Sequence, residues 1–169
     1  MMFDAATCAP VPWKNGGGVT RPLAAGVHWR LSLADITQDG GFSTFPGLQR
    51  ILTIVEGQGI HLRGDAADLT ARPFTPLPFE GDLSLQCTLI DGPSRAFNLM
   101  FDPKGLQAWV RVLEPGEINA DTDGILFVVH GQVEIEGGVA LTSGQGDNLP
   151  SGTRAQVQPE TCALWVAFI

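Results

Sequence analysis

Nine residues, Arg50-Ile51-Leu52-Thr53-Ile54-Val55-Glu56-Gly57-Gln58, recur 74 positions later as Gly124-Ile125-Leu126-Phe127-Val128-Val129-His130-Gly131-Gln132. Repetition at a fixed offset is the strongest constraint on this chain, because it requires one structural unit to be built twice. Two shorter matches follow in the same order. Leu77-Pro78 with Gly81 aligns with Leu149-Pro150 with Gly152, and Cys87-Thr88-Leu89 aligns with Cys162-Ala163-Leu164, at offsets of 72 and 75. The 169 residues then divide into halves 1–102 and 103–169, with Pro103-Lys104-Gly105 at the junction.

The repeated runs read as strands. Ile51 to Val55 and Ile125 to Val129 are short, β-branched and closed by glycine, as expected of strands covered on both faces. Elsewhere the period is two: Trp29, Leu31 and Leu33 alternate with Arg30, Ser32 and Ala34, and Leu83, Leu85, Cys87 and Leu89 alternate with polar residues. The first set in each case is assigned to the buried face. Gly (21) and Pro (12) are abundant enough to supply many tight turns. The best helical stripe, from Gly105 to Leu113, reads equally as a strand through Trp109, Arg111 and Leu113. The fold class is therefore all-β, a sandwich or barrel of short strands.

Ten basic residues stand against 18 acidic ones, and a net charge of −8 repels phosphate backbones and anionic lipid surfaces, so neither nucleic acid nor membrane is an expected partner. The opening Met1-Met2-Phe3-Asp4-Ala5 has no basic or apolar leader pattern, and a cytoplasmic location is expected. Cys8, Cys87 and Cys162 are odd in number and far apart, which suits unreactive apolar fillers better than a disulfide framework or zinc site. Residues 1–100 carry seven basic and nine acidic side chains, residues 101–169 three and nine. Cations suited to an anionic ligand therefore lie mainly in the first half.

Gly146-Asp147-Asn148-Leu149-Pro150-Ser151-Gly152 is similar to the second motif of the cupin jelly roll. Four further stretches are more specific: Pro12 to Arg21 (PWKNGGGVTR), Phe42 to Arg50 (FSTFPGLQR), Phe79-Glu80-Gly81-Asp82, and Asp91 to Met100 (DGPSRAFNLM). Together they resemble the HutD/Ves family of bicupins, accessory proteins found with bacterial histidine-utilisation enzymes. Pro22 stands where that family commonly has an acidic residue. The resemblance implies a bicupin, two fused jelly-roll-like barrels from an internal duplication, and a ligand that is a histidine-degradation intermediate such as N-formylglutamate or urocanate, whose binding moderates the pathway.

Metal-dependent cupins need several convergent imidazole or carboxylate donors. Counting from the glycines and Pro150 puts Glu117, Asn119, Gly124 and Ala155 at those places in the second half, and Ser43, Phe45 and Arg50 at their counterparts in the first. His28, His61 and His130 occupy none of them. No metal and no cofactor are expected. A guanidinium facing a barrel mouth needs an acceptor, which is either an internal carboxylate (Glu56, Asp82 or Asp35) or a ligand. The three consecutive glycines after Trp13-Lys14-Asn15 let backbone approach a ligand or a neighbouring strand closely, and Lys14 adds charge. Asn98 sits between apolar neighbours and needs a partner when buried.

The residues leave both acceptors open, and the resemblance to the HutD/Ves family favours the second, a metal-free binder of a small carboxylate in the N-terminal half. Lys14, Arg21 and Arg50 are its expected charge partners, Asn15, Ser43 and Asn98 its hydrogen-bonding groups, and Phe45 a wall. Phe42 and Trp13 are assigned to the core. No catalytic residues are assigned; the rivals are a metal-independent isomerase or epimerase using His61 or Glu56 as base, and a structural partner protein docking through its apolar C-terminus. Association as a homodimer is compatible with either.

Overall fold

The computed structural model describes residues 2–169; Met1, part of the opening stretch considered above, lies outside them. The chain divides into two compact units, Cys8–Leu106 and residues 2–7 with Gln107–Ile169. Among the described residues the only helical element is a single 3-10 turn, Ala5–Thr7. A two-residue strand, β1 (Phe3–Asp4), opens the chain. The larger unit follows with β2 (Val11–Pro12), β3 (Gly18–Ala25), β4 (Trp29–Ile36), β5 (Gly40–Phe42), β6 (Gln49–Glu56), β7 (Ile60–Gly64), β8 (Ala67–Ala71), β9 (Leu77–Glu80), β10 (Leu85–Leu89) and β11 (Ser94–Phe101). The smaller unit continues with β12 (Ala108–Leu113), β13 (Gly116–Asn119), β14 (Gly124–His130), β15 (Gln132–Ile135), β16 (Val139–Thr142), β17 (Gln145–Leu149), β18 (Arg154–Val157) and β19 (Cys162–Phe168).

Each unit holds two sheets, and the strand orders repeat. In the larger unit they run β2-β3-β4-β11-β6-β9 and β5-β10-β7-β8; in the smaller, β1-β17-β14-β19-β12 and β13-β18-β15-β16. Thus β4-β11-β6-β9 corresponds to β12-β19-β14-β17, and β5-β10-β7-β8 to β13-β18-β15-β16. All named pairings are antiparallel. Local detail is duplicated as well. Val55 is the extra residue of a bulge between β6 and β11, and Val129, 74 residues on, is the extra residue between β14 and β19. Gly57 and Gly131 follow with φ of 87° and 92°. Beneath each lies a hydroxyl: a Cβ would meet Ser94 Oγ at 2.6 Å or Thr161 Oγ1 at 2.4 Å, so glycine is required for space as well as for backbone conformation.

Strand order corrects two of the sequence matches. Leu77-Pro78 and Leu149-Pro150 do fall on equivalent strands, but Phe79 faces Arg50 and Leu149 faces Gly124, so the true register differs by two residues. Cys87-Thr88-Leu89 lies on β10, whose counterpart is β18, while the Cys162 run opens β19, the counterpart of β11. Three residues of alternating pattern fit any half-buried strand, and loops of unequal length let the wrong one match.

The inner face of the six-stranded sheet does two jobs. At one end Ala34, Ile36, Leu52, Ile54 and Ala96 join Ile60, Leu62, Leu85 and Cys87 of the facing sheet in a closed core. Burial pushes the Cys87 thiol up to about 12, with Asp39 adding to the effect, so it behaves as apolar filler. At the other end the same face carries Arg30, Ser32, Arg50, Asn98 and Met100, and the interior is open.

Candidate functional site

Antiparallel register aligns the open end in rows. Arg30 of β4 pairs with Met100 of β11, and Met100 pairs with Arg50 of β6; one step inward, Ser32 pairs with Asn98 and Asn98 with Leu52. Period two turns these side chains to one face, where they border a cavity of about 820 Å³. Trp13, Lys14 and Asn15 from the β2–β3 turn, Pro22 of β3, and Phe42, Ser43 and Phe45 at the end of β5 form the other walls. Asn15 fixes its own turn: its Oδ1 accepts from Gly17 N at 2.9 Å and its Nδ2 donates to the Gly41 carbonyl at 3.2 Å. Trp13 Nε1 donates to Thr20 Oγ1 at 2.7 Å, and its ring meets Phe42 edge-on.

Arg50 is 5% exposed. Its Nη2 donates to Asn98 Oδ1 at 3.2 Å and its Nη1 to the Ser43 carbonyl at 3.4 Å, while Nε is buried with no partner. Phe42, Phe45 and Phe79 surround the guanidinium, with ring centroids 5.3, 5.1 and 4.9 Å from its central carbon. Burial first, and then the nearby Arg30, lower its pKa to about 10, which still leaves it charged at neutral pH. None of the expected internal acceptors answers it. Asp35 accepts from Arg21 at 2.6 Å and Arg95 at 2.5 Å, Glu56 accepts from Arg95 at 3.0 Å, and Asp82 Oδ1 accepts from the Gly47 amide.

Arg30 lies across the row, its Nη2 3.3 Å from Met100 Sδ and its guanidinium 4.7 Å from the Phe45 centroid. Lys14 is the third cation of the lining, and no aspartate, glutamate, histidine or cysteine belongs to it. An arrangement of donors and positive charge without a counter-ion can hold an anion.

The HutD family profile matches residues 5–165. The chain belongs to the HutD family. It is 34% identical over 153 residues to the protein Ves of Escherichia fergusonii, covering 85% of this chain and 80% of that one. It is 42% identical over 106 residues to a 21.2 kDa protein of the hutC 3′ region of Pseudomonas putida, a match over 58% of this chain that spans just over half, 56%, of that protein's length. Among solved structures, HutD from Pseudomonas fluorescens SBW25, determined in a formate condition, is 28% identical with a TM-score of 0.86, covering 99% of this chain and 97% of that one. Oxalate decarboxylase of Bacillus subtilis, at 7% identity, TM-score 0.71 and coverage of 100% and 78%, shares the fold alone. The fold is that of the cupins, and no helix among the described residues is long and apolar enough to cross a membrane.

In this HutD-family chain Lys14, Asn15, Ser43, Phe45, Arg50 and Asn98 meet at one cavity. Arg21 does not join them. Thr20 and Pro22 face the cavity, so Arg21 between them points to the opposite face of β3 and is held there by Asp35. His61 and Glu56 also lie elsewhere, His61 against Thr70 Oγ1 and Glu56 against Arg95. Sequence reasoning missed Arg30, Ser32 and Met100, and it assigned Phe42 and Trp13 to the core although both also wall the cavity. The alternation of Arg30 and Ser32 with Leu31 and Leu33 held the signal, but polar residues on a strand's second face read as solvent-facing when they line an open cavity instead.

The smaller unit has filled the equivalent place. Strand register makes Gly124 the counterpart of Arg50 and Trp165 the counterpart of Asn98. The Trp165 indole, 1% exposed, occupies the space above Gly124, where a Cβ would stand 2.4 Å from the ring.

Proposed function

We propose that this HutD-family chain is a metal-free binder of a small carboxylate metabolite, of the N-formylglutamate or urocanate class, and that occupancy moderates histidine utilisation. The observation that carries the reading is Arg50: a buried guanidinium without a carboxylate partner, fixed by Asn98, Ser43 and three rings at the floor of a cavity whose lining includes no acid. Asn98 orients the fork by accepting from Nη2, and Lys14 and Arg30 add positive potential. Pro12, Trp13 and Pro22 give an apolar wall for the ligand's body. The names of two relatives, HutD and a hutC-region protein, supply the pathway. Binding is favoured over turnover because the lining holds no aspartate, glutamate, histidine or cysteine to abstract a proton.

Calorimetric titration with N-formylglutamate, urocanate, glutamate and formate tests the reading. One of these carboxylates is expected to bind the native protein, and Arg50→Met is expected to weaken that binding by about 2–5 kcal/mol, the loss typical of one partner of a desolvated charge pair. Equal affinity in a folded Arg50→Met variant overturns the assignment.

A further inference from the structure

Arg30 gives the site a second anion position. Of the other arginines, Arg21, Arg63, Arg95 and Arg111 each hold a carboxylate, and Arg72 and Arg154, which do not, lie exposed outside the cavity lining. Arg30, like Arg50, has no acid within ion-pair distance, in a chain whose acids outnumber its bases by eight. Both guanidinium groups contact the one Phe45 ring, at 4.7 and 5.1 Å from its centroid, so their central carbons are no more than about 10 Å apart. This agrees with two strand spacings between their Cα atoms. They differ in depth, for Arg50 is buried and Arg30 exposed. What separates them is apolar: Met100 lies directly between them on β11, and Phe45 stands against both.

Resting on the carboxylate-binding reading above, we infer that the ligand is a dianion, two carboxylates joined by a short uncharged spacer, with one end on Arg50, the other on Arg30, and the spacer across Met100 and Phe45. Two like charges near one ring repel each other when the cavity is empty, and a single carboxylate on Arg50 leaves Arg30 unanswered. A compact dianion such as phosphate places both charges at one end and leaves the apolar middle of the row facing a charged group. A ligand with separated charges satisfies all three positions. The arrangement also makes Arg30 the residue that decides between mono- and dicarboxylates, since the Arg50 end is common to both.

The test compares matched pairs. Succinate, glutarate and adipate are titrated calorimetrically against their own monoamides, which keep length and shape and remove one charge. The best-fitting diacid is expected to bind about tenfold or more tightly than its monoamide, the advantage of one charge-assisted hydrogen bond. In Arg30→Gln that ratio falls to about one, the diacid losing its partner while the monoamide loses only the positive potential that Arg30 adds to the cavity. The exposed position of Arg30 keeps the variant folded, and a native-like unfolding midpoint without ligand verifies it. Equal affinity of diacid and monoamide for the native protein, or a preference that survives Arg30→Gln, overturns the dianion inference while monoamide binding through Arg50 keeps the carboxylate reading. Absence of binding by every acid, or binding indifferent to Arg50→Met, overturns both.

Discussion

A buried arginine with no acidic partner makes an unusual stability prediction, because its removal is expected to cost almost nothing. Replacing Arg50 with Met keeps an unbranched side chain out to the position of Nε and removes the charged head. The lowering of the Arg50 pKa to about 10 corresponds to about 3 kcal/mol against the charged form, and the variant regains this. On the other side stand three ring contacts, each worth about 0.5–1 kcal/mol, of which a thioether restores part. Asn98 Oδ1 also loses its donor, at about 1 kcal/mol, while the carbonyl of the exposed Ser43 exchanges its long bond for water at little cost. The sum lies within about 1 kcal/mol of zero. An arginine buried in an ion pair behaves otherwise, since its removal strands a carboxylate and costs about 3–5 kcal/mol. Urea unfolding of both proteins without ligand separates the cases. A loss of about 3 kcal/mol or more in Arg50→Met, equivalent to a drop of about 6–12 °C in Tm, refutes the account of Arg50 as an unanswered charge. Saturating ligand is then expected to raise the Tm of the native protein alone, by mass action, placing it above the variant.

Two further outcomes follow from groups outside the cavity. Burial alone would raise the pKa of Asp35, but hydrogen bonds from Arg95 and Arg21 outweigh it and hold the carboxyl below its ordinary value. A depressed folded pKa stabilises above the unfolded value and loses its contribution as pH falls through the folded one. Asp35→Asn is therefore expected to be less stable than the native protein by about 1 kcal/mol at neutral pH, the difference vanishing in acid; a pH-independent difference in urea midpoints contradicts this. In the smaller unit, a Cβ on Gly124 meets the Val166 carbonyl at 2.3 Å and the Trp165 ring at 2.4 Å, so Gly124→Ala is expected to cost about 1–3 kcal/mol. Unchanged thermal unfolding disproves the claim that the indole fills that place.

Much of the larger unit's site was legible in the sequence because cupin-like motifs carry their own spacing. Counting from Gly57 places Ser43, Phe45 and Arg50 near one another, and all three line the cavity. The strand reading of Ala108–Leu113 also holds, since alternation through Trp109, Arg111 and Leu113 outweighs a weak helical stripe. What stayed hidden depended on direction. Arg21 and Arg30 are both basic residues on strands, and only the parity of each strand against its neighbours sends the first to Asp35 and the second to the cavity. Cys162 shows a related limit, because a short run fits several strands of a duplicated barrel until pairing fixes which one it occupies.

Gly124 and Trp165 bear on how filling of the proposed site depends on ligand concentration. With the duplicate position filled by an indole, the two units cannot both present an Arg50-type site, and no pair of such sites is available within a chain to reinforce one another. Under the proposed function the remaining site, acting independently, fills as a simple hyperbola, for which passing from one-tenth to nine-tenths full takes roughly an eighty-fold change in free ligand. Under the proposed function, a single chain acts as a graded gauge over a wide concentration range rather than as a sharp threshold. Any steeper response then has to arise between chains or from other proteins.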